Sequence, residues 1–382
     1  MMILFTIAAV SIFWVSRTGR DKPIWWRVYG GNNSGTALCI LKAVNGYLLG
    51  GIAGEDSSFL MMINREGEQS WYREYVVQSF QDMIRTDDGF LFLGNTAPGT
   101  IYNQPALVKV DGQGNTLWSH IPKFAADPEY ANKVVAIVND GEGGYICAGE
   151  ISKNLDSDCD IHIWGFTEEG DKSWEKTLDR EGEESASCIN KCSDGFLVTG
   201  WAEQSDGSRD IVLIKIDTEG EIIWQRTINH PGDESPYATI CLGDEEYLVA
   251  GDWDYLDENK DSGIILRTNS EGEKIWVTSI SEESCIRELL EVRDGCVAVG
   301  WITLRETVPD PQDPSRVYDR GYNDVYVTKI DPDGAIVWER RYGGNRNDRG
   351  YSTVSGDSCL IISGATTSYR DRGTTYVLKV PG

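Results

Sequence analysis

Short apolar runs that end in glycine recur along the whole chain, and most of them begin at a polar turn. The runs are "NGYLLGG", "DGFLFLG", "GGYICAG", "DGFLVTG", "EEYLVAG", "DGCVAVG" and "DSCLIISG", with last glycines at Gly51, Gly94, Gly149, Gly200, Gly251, Gly300 and Gly364. Apolar and β-branched residues bounded by Asp-Gly, Asn-Gly and other glycine-rich turns are typical of strands in antiparallel hairpins. Each run therefore predicts one strand of a repeating unit.

A second pattern alternates with the first and places a turn glycine four residues before a tryptophan, as in "KIDTEGEIIW". The turn glycines are Gly67, Gly114, Gly170, Gly220, Gly272 and Gly334, and the tryptophans are Trp71, Trp118, Trp174, Trp224, Trp276 and Trp338. With the two further apolar runs in each period, the unit has four predicted strands in roughly fifty residues, which is typical of a propeller blade. We predict that each tryptophan is a structural residue of the repeat and lies across the next blade.

The two ends of the chain are complementary. The first tryptophan strand, "PIWWRVYGG" with Trp25, has no strands before it, and the last set of three strands, ending in "TTYVLKVPG", has no tryptophan strand after it. Pairing the ends would remove the exposed sheet edges that invite aggregation. The sequence therefore predicts an all-β fold. It is a seven-bladed β-propeller of four antiparallel strands per blade over residues 23–382, with the last blade closed by the N-terminal strand.

The repeat unit "KIDTEGEIIWQR" resembles the quinoprotein-like (PQQ-like) propeller repeat. The longer unit, from the tryptophan through "DGFLVTG" to "DIVLIKID", resembles repeats of uncharacterised archaeal and bacterial surface propellers. This resemblance implies a fold over nearly all of the chain after residue 22, whereas propellers host many unrelated activities. Quinoprotein dehydrogenases usually have eight blades and an adjacent cysteine pair, and no two of the nine cysteines here are neighbours. Because of these differences, quinone binding is not the expected function and is kept only as an alternative.

The net charge restricts the class of binding partner, and the N-terminal residues bear on the location of the protein. The formal net charge of −26, from 61 acidic and 35 basic residues, repels phosphate backbones and excludes nucleic acid as an expected partner. Residues 1–15 are apolar and uncharged, which predicts a signal or membrane anchor within residues 1–22. The basic residues that follow, Arg17, Arg20 and Lys22, favour a cytoplasmic propeller. The resemblance to surface proteins favours an extracytoplasmic one, which we expect.

The sequence contains no recognisable catalytic or metal-binding motif. The three histidines, His120, His162 and His230, lie in different blades, and the nine cysteines are scattered, so most of the cysteines are interpreted as core residues. Two acidic stretches suggest calcium, but neither has a glycine placed for a calcium-binding loop. We predict no cofactor and keep calcium as an alternative at Asp156, Asp158 and Asp160 and at Asp257, Glu258 and Asp261.

The second-to-third and fourth-to-first connections vary in length, and in a four-stranded meander they lie on one face of the disc. The longest is residues 302–324. Because binding residues concentrate on such loops, we predict a non-catalytic, monomeric cell-surface propeller that binds a protein or a glycan there. The alternative is an enzyme, either a quinoprotein-like oxidoreductase or a glycan-cleaving propeller, that uses acids near the central opening. The candidate binding residues, including those acids, are Trp201, Trp253, Trp301, Tyr255, Tyr318, Tyr322, Asp252 and Glu150.

Overall fold

The described structure is a ring of antiparallel sheets. The computed structural model describes residues 20–382 except 31–34, 55, 97–103, 122–130, 153–158, 179–181, 230–231, 244–245, 256–259, 310–316 and 370–373. These residues form seven four-stranded sheets, and no helix occurs among them. The predicted seven-bladed β-propeller is therefore confirmed.

The strands follow chain order, four to a blade. Blade 1 contains β2 (Gly35–Ala43), β3 (Gly46–Ala53), β4 (Ser57–Asn64) and β5 (Gln69–Tyr75); blade 2 contains β6 (Phe80–Thr86), β7 (Gly89–Asn95), β8 (Pro105–Asp111) and β9 (Thr116–His120). Blade 3 contains β10 (Ala131–Asn139), β11 (Tyr145–Ser152), β12 (Asp160–Phe166) and β13 (Lys172–Leu178); blade 4 contains β14 (Glu184–Cys192), β15 (Gly195–Glu203), β16 (Arg209–Ile216) and β17 (Ile222–Ile228). Blade 5 contains β18 (Asp233–Cys241), β19 (Tyr247–Tyr255), β20 (Lys260–Thr268) and β21 (Lys274–Glu282); blade 6 contains β22 (Ser284–Val292), β23 (Gly295–Pro309), β24 (Val317–Ile330) and β25 (Ile336–Tyr342). Blade 7 contains β26 (Asp348–Gly356), β27 (Cys359–Thr366), β28 (Thr374–Pro381) and β1 (Trp25–Tyr29).

The N-terminal strand closes the ring as predicted. β1 pairs antiparallel with β28, with Trp25 opposite Lys379, so the first and last strands share blade 7. The segment before β1 is tied to blade 6, because the Nε and Nη2 atoms of Arg20 donate to Asp324 at 2.6 and 2.7 Å. In the described part of the chain no helix has the length and apolar character to cross a membrane. The predicted anchor, residues 1–15, lies outside that part.

The hydrophobic core is divided among the junctions between blades. The described residues form seven clusters of buried side chains, and each cluster joins two adjacent blades. The junction of blades 4 and 5, for example, combines Leu213 of β16 with Tyr247 and Val249 of β19. Each sheet is therefore apolar on both faces, which accounts for strands that read as nearly continuous hydrophobic runs.

The tryptophans cover the turn glycines of the following blade. A Cβ on Gly272 would lie 2.8 Å from the ring of Trp224, and the residue has a φ of 75°, so this position requires glycine. The other five turn glycines lie in the same way against the tryptophan of the preceding blade, with Trp25 of β1 covering blade 1; the pairs are Gly67–Trp25, Gly114–Trp71, Gly170–Trp118, Gly220–Trp174 and Gly334–Trp276. Each of these six tryptophans therefore lies against the turn of the next blade. The seventh, Trp338, is covered by Arg340, whose guanidinium carbon is 4.2 Å from the ring centroid.

The prediction that residues 302–324 form the longest loop is wrong. Residues 302–309 continue β23 and residues 317–324 continue β24, so blade 6 extends into a two-stranded arm. The alternating, β-branched segment "ITLRETV" can pair along "VYDRGYND", which satisfies its backbone groups. Of the prolines that act as turn signals in this segment, Pro309 ends β23, and those at 311 and 314 lie outside the described residues.

A disulfide links two innermost strands. Cys192 at the end of β14 and Cys241 at the end of β18 are bonded, with their Cα atoms 5.5 Å apart. The other seven cysteines are free thiols, and four of them are buried, in agreement with their interpretation as core residues: Cys147, Cys285, Cys296 and Cys359. The sequence pattern did not predict the inter-blade pair, because its two members lie 49 residues apart in different repeats.

Candidate functional site

The innermost strand of every blade carries a β-bulge at the same place. In each blade one residue is inserted between two consecutive register pairs; the seven bulge residues are Leu38, Gln81, Val135, Ser187, Tyr237, Arg287 and Tyr351. The bulges lie near the start of the innermost strands, at the end of the central channel that opens on the variable-loop face. Bulges re-aim side chains and disturb the ladder locally. They therefore define a ring of side chains at this mouth.

The bulges explain the glycines that end the second strands. A Cβ on Gly200 would lie 2.1 Å from the carbonyl oxygen of Ser185, and a Cβ on Gly300 would lie 1.9 Å from that of Cys285. The same close approach to the innermost strand occurs in four other blades, at Gly51, Gly149, Gly251 and Gly364. The sequence signature thus marks the position where the bulged strand lies against its neighbour.

Four predicted site residues come directly after these glycines, on four consecutive blades. Glu150, Trp201, Asp252 and Trp301 hold equivalent positions on β11, β15, β19 and β23. Each lies beside the bulge of its own blade, so the structure brings them to one sector of the channel mouth.

Tyr237, Arg287, Trp301, Arg349 and Tyr351 form what we call the arginine–aromatic cluster. The guanidinium carbon of Arg287 lies 3.9 Å from the ring centroid of Tyr237 and 5.9 Å from that of Trp301. The guanidinium carbon of Arg349 lies 4.8 Å from the same Trp301 centroid, and Tyr351 meets this indole edge-on at 5.8 Å. All five side chains are half-buried. Such contacts hold two guanidinium groups and three rings in a defined arrangement.

The base of the blade 6 arm fixes one of these arginines. The amide of Asn323, with its nitrogen donating to Thr303 Oγ1, presents its oxygen to Nε and Nη2 of Arg349 at 2.8 and 2.9 Å. Among the described residues no carboxylate forms an ion pair with Arg287 or Arg349. The cluster therefore contains two guanidinium groups without an ion-pair partner among the described residues, at the mouth of an acidic protein.

Of the five cluster residues, only Trp301 was predicted from the sequence. Tyr237, Arg287, Arg349 and Tyr351 lie in stretches without an obvious motif. A usable signal exists, because every bulge residue lies 13 or 14 residues before its second-strand glycine, as Arg287 does before Gly300. Aligning the repeats on that glycine would have placed Tyr237, Arg287 and Tyr351 side by side.

The remaining predicted aromatic residues have different environments. Trp201 lies under Arg209 at 4.2 Å, and Arg209 also pairs with Glu183 at 3.8 Å. Trp253 is 4% exposed and packs in the junction of blades 4 and 5. Tyr322 is 7% exposed, with Arg20 5.6 Å above its ring. Trp253 and Tyr322 thus lie in the interior rather than on the surface. Tyr255 and Tyr318 lie on strand backbone, and their side chains are outside the described residues.

The predicted acids near the central opening have structural partners. Glu150 accepts from Lys133 Nζ at 3.1 Å and from the hydroxyl of Ser185 on the next blade. Asp252 lies beside the Cys285 thiol, whose pKa is raised mainly by burial and further by this carboxylate. Glu150 therefore ties blade 3 to blade 4 at the rim.

Two other carboxyl groups lie one position deeper than the bulges, in the wall of the channel. Burial raises the pKa of Asp82 to about 6, although its oxygens accept from the backbone N–H groups of Met83 and Ile137 at 2.8 and 3.1 Å. Burial also raises the pKa of Glu288 to about 7, and this carboxyl accepts from the hydroxyl of Ser352 at 3.0 Å. These bonds connect innermost strands of adjacent or nearby blades.

No metal site is found in the described part of the chain, where no group of three or more His, Cys, Asp and Glu residues is placed to hold an ion. Of the calcium alternatives, Asp160 begins β12, and the side chains of Asp156, Asp158, Asp257, Glu258 and Asp261 lie outside the described residues. Burial lowers the pKa of His162 to about 4, so this histidine is a neutral core residue at pH 7. His120 contacts Trp118 with tilted rings, 5.0 Å between centroids, and His230 is outside the described residues.

Comparison with known proteins identifies the fold and no family. No protein-family model matches the chain, and no curated protein does. Among solved structures, it is similar to the WD40 domain of Neurospora crassa Pan2, with 10% identity, a TM-score of 0.54, and 95% of this chain and 98% of that chain covered. It is also similar to the Dos1 propeller, with 10% identity, a TM-score of 0.51, and 94% and 95% covered. The quinoprotein-like repeat type is not confirmed by these likenesses.

Proposed function

We propose that this propeller is a non-catalytic binding protein that engages a protein partner at the channel mouth on its variable-loop face. The observation that carries the proposal is the arginine–aromatic cluster. Half-buried tryptophan, tyrosine and arginine side chains held against one another are the residue types that dominate the energetics of protein interfaces. The cluster lies where the connections of varied length also converge.

The environment of the two rim tryptophans favours a protein over a glycan as the partner. A sugar ring stacks on an open aromatic face, whereas Trp201 is covered by Arg209 and Trp301 by Arg349. The enzyme alternative gains no support from the predicted acids, since Glu150 is already engaged by Lys133. A channel mouth with both charged groups and aromatic rings in defined positions suits the binding of a partner better than catalysis.

The same proposal includes a cell-surface location and a quinoprotein-like origin of the repeat. The Cys192–Cys241 disulfide supports an oxidising compartment, where such bonds persist. The apolar residues 1–15 support attachment to a membrane. The turn glycine and covering tryptophan support the repeat type.

Site-specific photo-crosslinking in the native cells tests the proposed function. A photoreactive phenylalanine analogue in place of Tyr351 should give an adduct with one polypeptide, and Trp301→Ala in the same chain should abolish it. The control carries the analogue at Ile223, which is 51% exposed on the outermost strand of blade 4 and far from the mouth in the sheet order. Equal adducts at both positions, adducts insensitive to Trp301→Ala, or no adduct at Tyr351 would each count against the mouth as a protein-binding surface.

A further inference from the structure

Two arginines flank one indole at the channel mouth, and their charges are not neutralised by ion pairs in the described structure. The guanidinium carbons of Arg287 and Arg349 lie 5.9 and 4.8 Å from the Trp301 centroid. Other arginines near this face do have carboxylate partners, such as Arg20 with Asp324 and Arg305 with Glu283. Two like charges beside one half-buried ring are unfavourable unless an anion joins them.

The nearest carboxyl groups form no ion pair with Arg287 or Arg349 in the described structure. Glu288 follows Arg287 in the chain and accepts from Ser352 and from the backbone N–H of Leu289. Asp252 of the neighbouring blade lies beside the Cys285 thiol and Tyr237, and Arg287 interacts with the same two groups. Arg287 and Arg349 can therefore take a carboxylate from outside as an ion-pair partner.

Stacking leaves the hydrogen-bonding edges of the guanidinium groups available. A guanidinium that lies over an aromatic ring uses its face, while its N–H groups point outward in the plane and suit the two oxygens of a carboxylate. Arg349 donates from Nε and Nη2 to Asn323. This contact fixes the plane of its guanidinium group and does not use Nη1. Arg287 lies against Tyr237, with its guanidinium carbon 3.9 Å from the ring centroid, and also interacts with the Cys285 thiol.

The overall charge restricts the kind of anion. A net charge of −26 repels a polyanion at long range. A single carboxylate on a peptide of low charge escapes most of that repulsion and gains the local attraction at short range. The rings of Tyr237 and Tyr351 offer apolar contact to the residues beside it.

We infer that the arginine–aromatic cluster is a carboxylate-binding site, in which Arg287 and Arg349 hold one acidic side chain or the C-terminal carboxylate of a peptide segment of the partner. This inference rests on the proposed function and deepens it, because it names the chemistry of the contact. Recognition is by charge-assisted hydrogen bonds, and no covalent step is involved.

The test uses peptides as the probe. A random dodecamer library displayed on phage is selected against the whole chain, and enriched sequences are synthesised with their acidic residues kept or changed to Gln, each with an amidated or a free C-terminus. Affinities are measured for the unchanged chain and for Arg287→Gln, Arg349→Gln and Trp301→Ala. The matched control is Arg209→Gln, which removes the same group from above Trp201, where Glu183 already pairs with it.

We expect enriched peptides to contain Asp or Glu and to bind about tenfold or more weakly to Arg287→Gln and Arg349→Gln, with no change for Arg209→Gln. Loss on amidation instead of on Glu→Gln substitution would identify the C-terminal carboxylate as the source. Circular dichroism and thermal unfolding verify folding. Arg287→Lys and Arg349→Lys, which keep the charge without the fork, should give intermediate losses.

The failures of the two proposals can be told apart. Peptides that depend on Trp301 but carry no essential carboxylate would overturn the carboxylate site and leave the binding surface. Peptides that bind equally to every mouth variant, or no enriched peptide at all, would overturn both. Arginine-dependent binding of oligogalacturonate without any peptide binding would assign the site to an acidic glycan and refute a protein partner.

Discussion

Removal of the disulfide between blades 4 and 5 gives a prediction whose size follows from the structure. The bond joins Cys192 to Cys241 across a separation of 49 residues. The chain-entropy relation for a closed loop of that length gives about 4 kcal/mol of stabilisation relative to the open chain. For a single domain of this length that free energy corresponds to a fall in melting temperature of about 5 °C.

The perturbation is Cys192→Ser, and its matched control is Cys188→Ser on the same strand, which removes a free thiol and no cross-link. Thermal unfolding is followed by circular dichroism with and without a reducing agent. Reduction should lower the melting temperature of the unchanged chain and of Cys188→Ser, and it should leave Cys192→Ser unaffected. Thiol titration of the denatured, unreduced protein should find seven free thiols, as against nine after reduction.

Two results would refute this reasoning. Nine titratable thiols in protein isolated from its native cells under thiol-blocking conditions would show that the bond does not form there. A melting temperature that is the same with and without reductant, despite seven thiols, would show that the closed loop does not limit the unfolded chain. The first result would also remove the support that the bond gives to an oxidising compartment.

The remaining predictions concern the repeat turn and the channel. Gly272→Ala should lower the free energy of unfolding by about 1–3 kcal/mol, since its Cβ would meet Trp224 at a positive φ; denaturant unfolding checks this, with Gly243→Ala, which meets nothing within 4 Å, as the control. Glu288 has a raised pKa of about 7 in the fold, so its contribution to stability is lost as pH rises from its unfolded value through 7. Glu288→Gln should therefore gain up to about 3 kcal/mol relative to the unchanged chain between pH 4.5 and pH 8, measured by melts across pH, and an equal difference at both pH values would contradict the assignment. Ser352→Ala should raise the pKa of Glu288 further and extend this pH dependence upward, because it removes a donor to the carboxylate.

The fold was predictable from the sequence because each blade repeats the same local constraints. A turn with a glycine at positive φ and a tryptophan four residues later recurs often enough to count, and pairing of the two chain ends follows from the count. Asp217 shows how local the turn is, since its Oδ1 accepts from the N–H groups of Glu219 and Glu221. Such short-range bonds leave a sequence signature that does not depend on the rest of the molecule.

The arm of blade 6 and the inter-blade disulfide were not predictable in the same way. Residues 302–324 contain prolines and charges that favour a loop, and pairing between the two halves outweighs those local preferences. The bond between Cys192 and Cys241 depends on the distance between neighbouring innermost strands, which no spacing within one repeat reveals. Both features arise from contacts between segments distant in the chain.

The candidate site depends both on the local repeat pattern and on contacts between segments distant in the chain. This explains why it was predicted only in part. Trp301 follows a signature glycine and could be found from the repeat, whereas Arg287 and Tyr351 occupy bulges, where the alternation of apolar and polar residues is interrupted. A bulge adds one residue per blade outside the regular pairing of the strands. Leu38 and Val135 still pack against inter-blade core clusters, whereas Tyr237, Arg287 and Tyr351 make the contacts of the arginine–aromatic cluster.

The bulge residues differ in kind from one side of the ring to the other. The bulge residues of blades 1 to 3 are Leu38, Gln81 and Val135, and those of blades 5 to 7 are Tyr237, Arg287 and Tyr351. If these positions served the fold alone, seven equivalent environments would favour similar side chains. The concentration of two rings and a guanidinium in three adjacent blades, next to the arm of blade 6, instead breaks the symmetry of the mouth at one sector. Under the proposed function, an asymmetric mouth on a symmetric scaffold would fix the orientation of the bound segment, which recognition of a single partner requires.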